Sequence, residues 1–437
     1  MPFIPITKRE REEMLQKIGA GIDEIFSTIP ENIRFRGEIN LPPPLSELEV
    51  YKLLKEISQK NRSLICFAGG GVYDHYIPSV VDHILSKPEF YTAYTPYQPE
   101  VSQGTLQAIY EYQSMICDLT EMEVSNASMY DGATALAEAI FMAAGINGKR
   151  KILISDAINP LYKEVIKSYI ADSFTLKFIP INKNGETEIN KISVDNDTAA
   201  IVVQHPNFLG ILEDVFEIEK IIHSKDAIFI VSFDPISLAI LKAPGDYNAD
   251  IATAEGQSLG LPMNFGGPYL GIFTSKKDYI RHMPGRIIGK TVDSEGKRGF
   301  VMTLQTREQH IRRERATSNI CTNQQLCALA AAVYLSLLGK SGLREVAYQT
   351  TQKSHYLYKL LIDYGLEIPY KGKFFREFVI KLNNVDKIIK KAAERGFLAG
   401  IDLGKFRPEW ENNLLVSVTE KRTKEEIEKI AEILKGN

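Results

Sequence analysis

Residues 1–62 set polar and apolar positions in a helical rhythm. Thr7 and Glu10 have the spacing of a capping box, and Met14, Ile18, Ile22 and Ile25 recur at helical intervals after them. Pro42, Pro43 and Pro44 stop regular structure. Ser46 can cap a second helix, with Leu48, Tyr51, Leu54 and Ile57 on one face. This stretch is expected to be a helical arm packed on the body or on a neighbouring subunit. From residue 63 the pattern changes. Short apolar runs at 151–155, 175–181, 199–204, 227–233, 250–254 and 269–275 alternate with helical stretches such as 160–169 and 215–223. Nearly continuous apolar strands between helices predict a mostly parallel sheet covered on both faces. A helix is expected over 105–119. An apolar helix is expected over 324–338, capped by Thr322 or Asn323 and ended by Gly339 and Gly342. Residues 344–437 change character again: helix 349–364, strand 375–382, helix 385–395, strand 414–419 and helix 424–434 predict a small α+β domain. The expected organisation is an arm (1–62), a large α/β domain (63–343) and a small C-terminal α+β domain (344–437).

Composition narrows the function classes. The 437 residues are 44% hydrophobic and 24% charged, with a formal net charge of -3. These are ordinary globular values, and the near-neutral charge argues against nucleic acid or an anionic membrane as partner. Cys66, Cys117, Cys321 and Cys327 are scattered and form no Cys-x-x-Cys pair, so neither a metal ribbon nor a disulfide framework is expected. No apolar run reaches the roughly 20 residues of a membrane span. The first residues lack a signal-peptide core, and Glu10, Glu12 and Glu13 argue against a transit peptide. A soluble cytoplasmic protein without a metal is expected.

In an open α/β sheet, ligands sit at the carboxyl ends of the strands. Three loops belong on that rim: Gln204 to Gly210, Phe233-Asp234-Pro235, and Glu255-Gly256-Gln257-Ser258 with the glycine-rich residues after it. An acid on one strand tip and a loop on a second, about two dozen residues on, is the layout of a pyridoxal-phosphate site. There the acid pairs with the pyridine nitrogen and a lysine on the second tip binds the cofactor covalently. The turn Ser128-Met129-Tyr130-Asp131-Gly132 leads into an alanine-rich helix, where enzymes of the aspartate-aminotransferase type hold the phosphate. The predicted large domain is therefore pyridoxal-phosphate-transferase-like. Two features depart from a working site. Ser258 stands where the lysine is needed, and Asp131 fronts the helix that should receive a phosphate. Asp234, Gln257 and Gly132 read as vestiges, with Asp234 equally able to serve a turn. His205 suits either stacking and acid–base work or a structural role.

Two further stretches suit a binding surface. Tyr94, Tyr97, Gln98, Glu100, Ser102 and Gln103 lie on a loop stiffened by Pro96 and Pro99. Residues 281–315 carry a run of basic groups, including Arg281, His282, Arg286, Arg312 and Arg313, with helical charges ending in the polar turn Thr317-Ser318-Asn319. Arginines beside a rim suit carboxylate or phosphate recognition.

Four motifs in order, Tyr94 to Gln107, Asn126 to Ala135, Glu255 to Pro262 with 265–271, and Thr306 to Thr322, resemble glycine decarboxylase, the P-protein family of the glycine cleavage system. The likeness covers nearly the whole chain and corresponds to the amino-terminal-half subunit of the two-subunit form. It implies decarboxylation of glycine on pyridoxal phosphate and transfer of the aminomethyl group to the lipoyl arm of H-protein. It also implies a lysine-bearing subunit 2 of the same fold, an α2β2 heterotetramer, and an active site at the subunit interface. Ser258 then stands where subunit 2 has its lysine and Gln257 where it has a histidine. The proline loop, with Thr317, Ser318 and Asn319, is the candidate contribution to the partner's site. Two other readings compete: a non-catalytic scaffold, and an independent pyridoxal enzyme using Lys242, Lys276 or Lys277.

Overall fold

The computed structural model describes residues 6–436 except 171–172, 265, 305–308, 317 and 321–322. The chain divides into two compact units, Met1–Arg62 and Ser63–Asn437.

In the first unit, the Thr7 hydroxyl accepts from the Glu10 N–H, and the Glu10 carboxylate accepts from the Thr7 N–H, at the start of helix Lys8–Ile18. Ser46 and Glu49 repeat this box before helix Glu47–Ser58. None of this unit's helices has a buried residue. Local capping defines them, and their apolar faces stay open.

The second unit is built on a seven-stranded sheet. Its strands are β1 (Val124–Ser125), β2 (Lys151–Ser155), β3 (Thr175–Ile179), β4 (Thr198–His205), β5 (Ile228–Phe233), β6 (Ile251–Glu255) and β7 (Gly271–Ser275), in the order β1-β7-β6-β5-β4-β2-β3. The run from β3 to β6 is parallel, whereas β7 and β1 pair antiparallel. Successive side chains point to opposite faces. Ile152, Ile154, Val202 and Ile230 meet Leu136 and Ile140 of helix Gly132–Asn147 on one face. Leu153, Ile201, Val203 and Val231 meet Ile218 and Ile222 of helix Val215–His223 on the other. Each fully buried side chain of this kind contributes roughly 1.5–3 kcal/mol. That double coverage makes the strands read as continuous apolar runs. β2 and β4 send their connections to opposite sides, so the sheet has a switch point there, and the ends of β4, β5 and β6 form one rim.

The C-terminal residues form an antiparallel sheet of Glu377–Lys381, Asn413–Ser417 and Ile401–Asp402, with helices Val385–Glu394 and Lys424–Lys435. Its core also takes Phe208, Leu209 and Ile211 from the loop after β4. That rim loop therefore packs into the C-terminal part.

Several expectations change. Helix Gln325–Asp363 is one element with a break at Gly339, whose φ of 56° and ψ of -171° leave helical space. Gly339 thus ends the first half, but Gly342 lies inside the second, which runs from 340 rather than 349. This helix holds an 18-residue stretch of mean hydropathy 1.6, long and apolar enough by composition to cross a bilayer. Its Cys327, Ala328, Ala330, Ala331 and Tyr334 are buried in the core against β6 and β7 residues, which makes it a core helix. Gln324 stands at its N-cap position without a side-chain cap. Asn323 is spent elsewhere, accepting from the Ser128 hydroxyl at 2.6 Å, and Thr322 lies outside the described residues. Within the basic run, Ile287–Val292 and Arg298–Thr303 form an antiparallel hairpin closed by a turn in which Asp293 accepts from Lys297. Among the described residues, the helical charges fall in Gln309–Arg312 and a 3-10 turn, Arg313–Arg315, while 305–308 lie outside them. Two short apolar runs, Ile287-Ile288 and Phe300-Val301-Met302, on either side of the Asp293-Ser294-Glu295-Gly296 turn were the missed hairpin signal.

Candidate functional site: a filled rim and the face beside it

The strand tips converge as expected, but their polar groups bind one another. Helix Gly132–Asn147 opens at the rim with Asp131 as N-cap, accepting from the Thr134 N–H at 2.8 Å. The free N–H at the helix start is that of Gly132, and it donates to Glu255 Oε2 at 3.0 Å. Glu255 Oε1 accepts from Gln257 N–H at 2.9 Å and from Leu270 N–H at 3.2 Å. Thus the tip of β6 bends its own carboxylate into the position where a helix N-terminus would hold a phosphate. Burial, helped by the nearby Asp131, pushes this carboxyl up to about 8 against the opposing pull of its backbone donors. Asp131 caps the helix, as an aspartate there favours, and Glu255 rather than Asp131 takes the Gly132 N–H. A Cβ at Gly132 would lie 2.6 Å from the Tyr162 hydroxyl and 2.8 Å from the Glu255 backbone nitrogen, so the turn is already closed over.

Asp234, at the tip of β5, is equally engaged. Its carboxylate pairs with Arg376 and also accepts from the Ile236 N–H at 3.0 Å. The Arg376 guanidinium lies 3.3 Å from the centroid of the Tyr73 ring and donates to His75 Nε2 at 2.5 Å. Arginine can only donate, so Nε2 accepts and Nδ1 carries the proton that bonds Glu420 at 2.5 Å. Tyr73 in turn donates to Glu377 at 2.7 Å, whose other oxygen accepts from the Gly70 N–H at 2.6 Å. Burial raises the Glu377 carboxyl to about 7. A pyridine nitrogen would have to displace this buried network.

Gln257 and Ser258 are buried. Gln257 accepts from the Tyr73 N–H at 2.9 Å and donates to the Leu261 carbonyl at 2.7 Å, clamping the loop. The Ser258 hydroxyl has no hydrogen-bond partner among the described residues. The space left between Tyr73, Tyr162, Asp234, Glu255 and Arg376 is about 30 Å³, far below the roughly 300 Å³ or more of a cofactor pocket. These residues do not fit pyridoxal phosphate. His205 is buried, accepts from the Glu213 N–H at 3.1 Å and sits edge-on to Tyr247, and burial depresses it to about 4. Its role is structural. Lys276 pairs at 2.6 Å with Asp250, at the amino end of β6 away from the rim, and Lys242 pairs with Asp246. Neither reaches the strand tips.

The proline loop faces outward. Tyr94 is 74% and Val101 80% exposed, and Gln98 and Glu100 are exposed as well. Both ends of this loop are pinned. Arg286, itself buried, donates to the Tyr97 hydroxyl at 3.0 Å and lies 5.4 Å from its ring centroid. Gln103 bonds both backbone groups of Phe300, accepting from its N–H and donating to its carbonyl at 2.9 Å each. Gln103 therefore anchors the loop to the hairpin, and Ser102 starts helix Gln103–Thr120 without a side-chain cap. Pro284 and Gly285, just before Arg286, line a cavity of about 400 Å³ shared with Glu138, Met142, Arg281 and Ser318. Ser318, half-buried, bonds the Glu138 carboxyl, which burial raises to about 7. Asn319 is exposed and accepts from Gln309 at 3.2 Å. Thr317 lies outside the described residues. The structure thus places Ser318 on this cavity and Tyr97 against Arg286, just past its lining residues Pro284 and Gly285, while Asp234, Gln257 and Ser258 belong to the separate, filled rim.

Glu255, Arg376 and Glu138 went unassigned in the sequence. Glu255 had a signal, being the acid at the tip of a central strand. Arg376 and Glu138 had none, because only folding makes them neighbours of the site.

Comparison with known proteins places this geometry. The glycine cleavage system P-protein family model matches residues 1–434. The chain is 50% identical, over the full length of both, to a probable glycine dehydrogenase (decarboxylating) subunit 1 of Carboxydothermus hydrogenoformans. It superposes on the crystal structure of an inhibitor-bound glycine decarboxylase (P-protein) with a TM-score of 0.90 and 43% identity, each chain fully covered. A Lactobacillus brevis glutamate decarboxylase shares the fold at 12% identity, with a TM-score of 0.69 over 93% of this chain. Matched over its length, this chain belongs to the P-protein family of the glycine cleavage system and is similar throughout to its subunit 1.

Proposed function

We propose that this chain is the lysine-free half of a glycine-decarboxylating pair. A second subunit of the same fold holds pyridoxal phosphate, and the remaining aminomethyl group passes to the lipoyl arm of H-protein. The observation that carries this reading is the filled rim. Glu255 occupies the Gly132 N–H, Arg376 occupies Asp234, and about 30 Å³ remains. A chain of this family built that way contributes through surfaces it presents to its partner. The pinned loop with exposed Tyr94, Gln98 and Glu100, and the half-buried Ser318, are suited to close over a partner's site, orient a carboxylate and exclude water. An α2β2 assembly in the cytoplasm follows from this reading, consistent with the free thiols of Cys66, Cys117 and Cys327.

The test is reconstitution. The chain alone, mixed with pyridoxal phosphate, gives no borohydride-trapped lysine adduct. Glycine–bicarbonate exchange appears only when subunit 2 is added. A trapped lysine in this chain, or full exchange by subunit 2 alone, overturns the reading.

A further inference from the structure

Three segments meet at a groove of about 560 Å³: the end of helix Gln103–Thr120, residues 238–246 after β5, and the break in helix Gln325–Asp363. Leu238 and Leu343 form its buried floor, and Met115, Leu119, Leu241 and Leu335 are half-buried walls. Gly339 keeps the groove open. The helix breaks there, and a Cβ at Gly339 would meet no atom within 4 Å. Ile240, 38% exposed, stands between the lining residues Ala239 and Leu241, so chain continuity sets it at the lip. Charge surrounds this apolar hollow. Asp118 and Glu121 line it from the end of helix Gln103–Thr120, and Lys340 and Arg344 line it from beyond the break. All four are exposed, and none has an ion-pair partner among the described residues. The two signs thus stand on separate elements around one mouth. A partner of one sign would be drawn to one element and repelled by the other. A second copy turned about a two-fold axis sets acids against bases twice, because in such an interface residue i meets j and j meets i.

We propose that this groove is a contact between two copies of this chain. Asp118 and Glu121 of each copy face Lys340 and Arg344 of the other, and Ile240 of each seats in the other's apolar hollow. Covering the hollow and its lip removes apolar surface from water, and the charges fix the register. The contact concerns this chain alone and goes beyond its pairing with subunit 2, so a test without that subunit separates the two readings.

Sedimentation velocity of the full chain over a concentration series measures self-association, with melting temperature as the folding control. A concentration-dependent dimer is expected, weakening as salt is raised. Lys340→Glu with Arg344→Glu makes the mouth acidic, and Asp118→Lys with Glu121→Lys makes it basic. Each double variant by itself is expected to self-associate about ten- to hundredfold more weakly, and an equimolar mixture of the two is expected to recover the wild-type dimer. Misfolding of one variant cannot imitate that recovery. Ile240→Asp, at an exposed position, should weaken self-association to a similar degree at an unchanged melting temperature. A wild-type chain that stays monomeric overturns the proposal, as does wild-type self-association in both charge variants. Weakening without recovery in the mixture overturns the two-fold pairing. A chain monomeric by itself whose Ile240→Asp variant fails to join subunit 2 overturns it too, and gives the groove to the unlike subunit.

Discussion

The Glu255 carboxylate accepts a hydrogen bond from the Gly132 N–H at 3.0 Å, closing the end of β6 onto the start of the helix that follows β1. In one contact the chain satisfies an orphan helix donor and removes the space a phosphate requires. The carboxyl does this at the cost of burial, which gives it a pH signature.

Glu255 lies at about 8 in the folded chain against an ordinary 4.5. Its protonated form is favoured by folding, so its contribution is fully present below about 4.5 and is lost as pH rises through about 8. Glu255→Gln keeps an acceptor for Gly132 and does not titrate. Urea unfolding of both proteins at pH 5 and pH 8.5 should show a smaller pH-dependent loss in the variant. An equal loss in both would place the titration elsewhere.

Restoring the lysine alone should not restore a cofactor site. Ser258→Lys puts an ammonium beside a buried hydroxyl position, with Glu255 still on Gly132 and Arg376 still on Asp234. The expected outcome with added pyridoxal phosphate is no visible absorbance change that borohydride removes, together with a lower melting temperature. A trapped adduct would show that the rim opens more easily than its bonding implies.

Arg376 and Asp234 should behave as a coupled pair. Arg376→Gln leaves the Asp234 carboxylate and His75 Nε2 without their buried donor, a loss of about 3–5 kcal/mol. The double variant with Asp234→Asn should lose less than the sum of the two singles, because the second change removes the stranded charge. Denaturant midpoints of the four proteins measure the coupling, and simple additivity would contradict the network.

Arg286 holds Tyr97 by both a hydrogen bond and its ring face. Arg286→Lys keeps the charge and loses the planar fork. In the reconstituted pair, exchange should fall about tenfold, with Tyr97→Phe milder because the ring contact persists. A drop in melting temperature without loss of exchange would assign Arg286 to stability alone.

How much of this was legible along the chain depends on the distance over which each feature is decided. Capping boxes at Thr7 and Ser46 and the parallel strands are written within a few residues, so sequence alone determined them, along with the family motifs. The hairpin at 287–303 was also local, but the basic residues around its turn masked its two short apolar runs. The rest needed the fold. Gln103 reads as an exposed loop amide until Phe300 arrives to bind both its ends. Asp234 reads as a vestigial cofactor partner until the C-terminal part delivers Arg376 to it. Glu138 reads as one polar residue in an alanine-rich helix until residues 281–285 and Ser318 enclose it. The sequence determined which residues stand on the strand-tip loops, Asp234, Gln257 and Ser258 among them. Tertiary structure decided that this rim is filled and that a cavity lined by Glu138 and Arg281 lies apart from it. Burial and pairing of charges arise from contacts between residues distant in sequence, and periodicity along a chain carries no record of them.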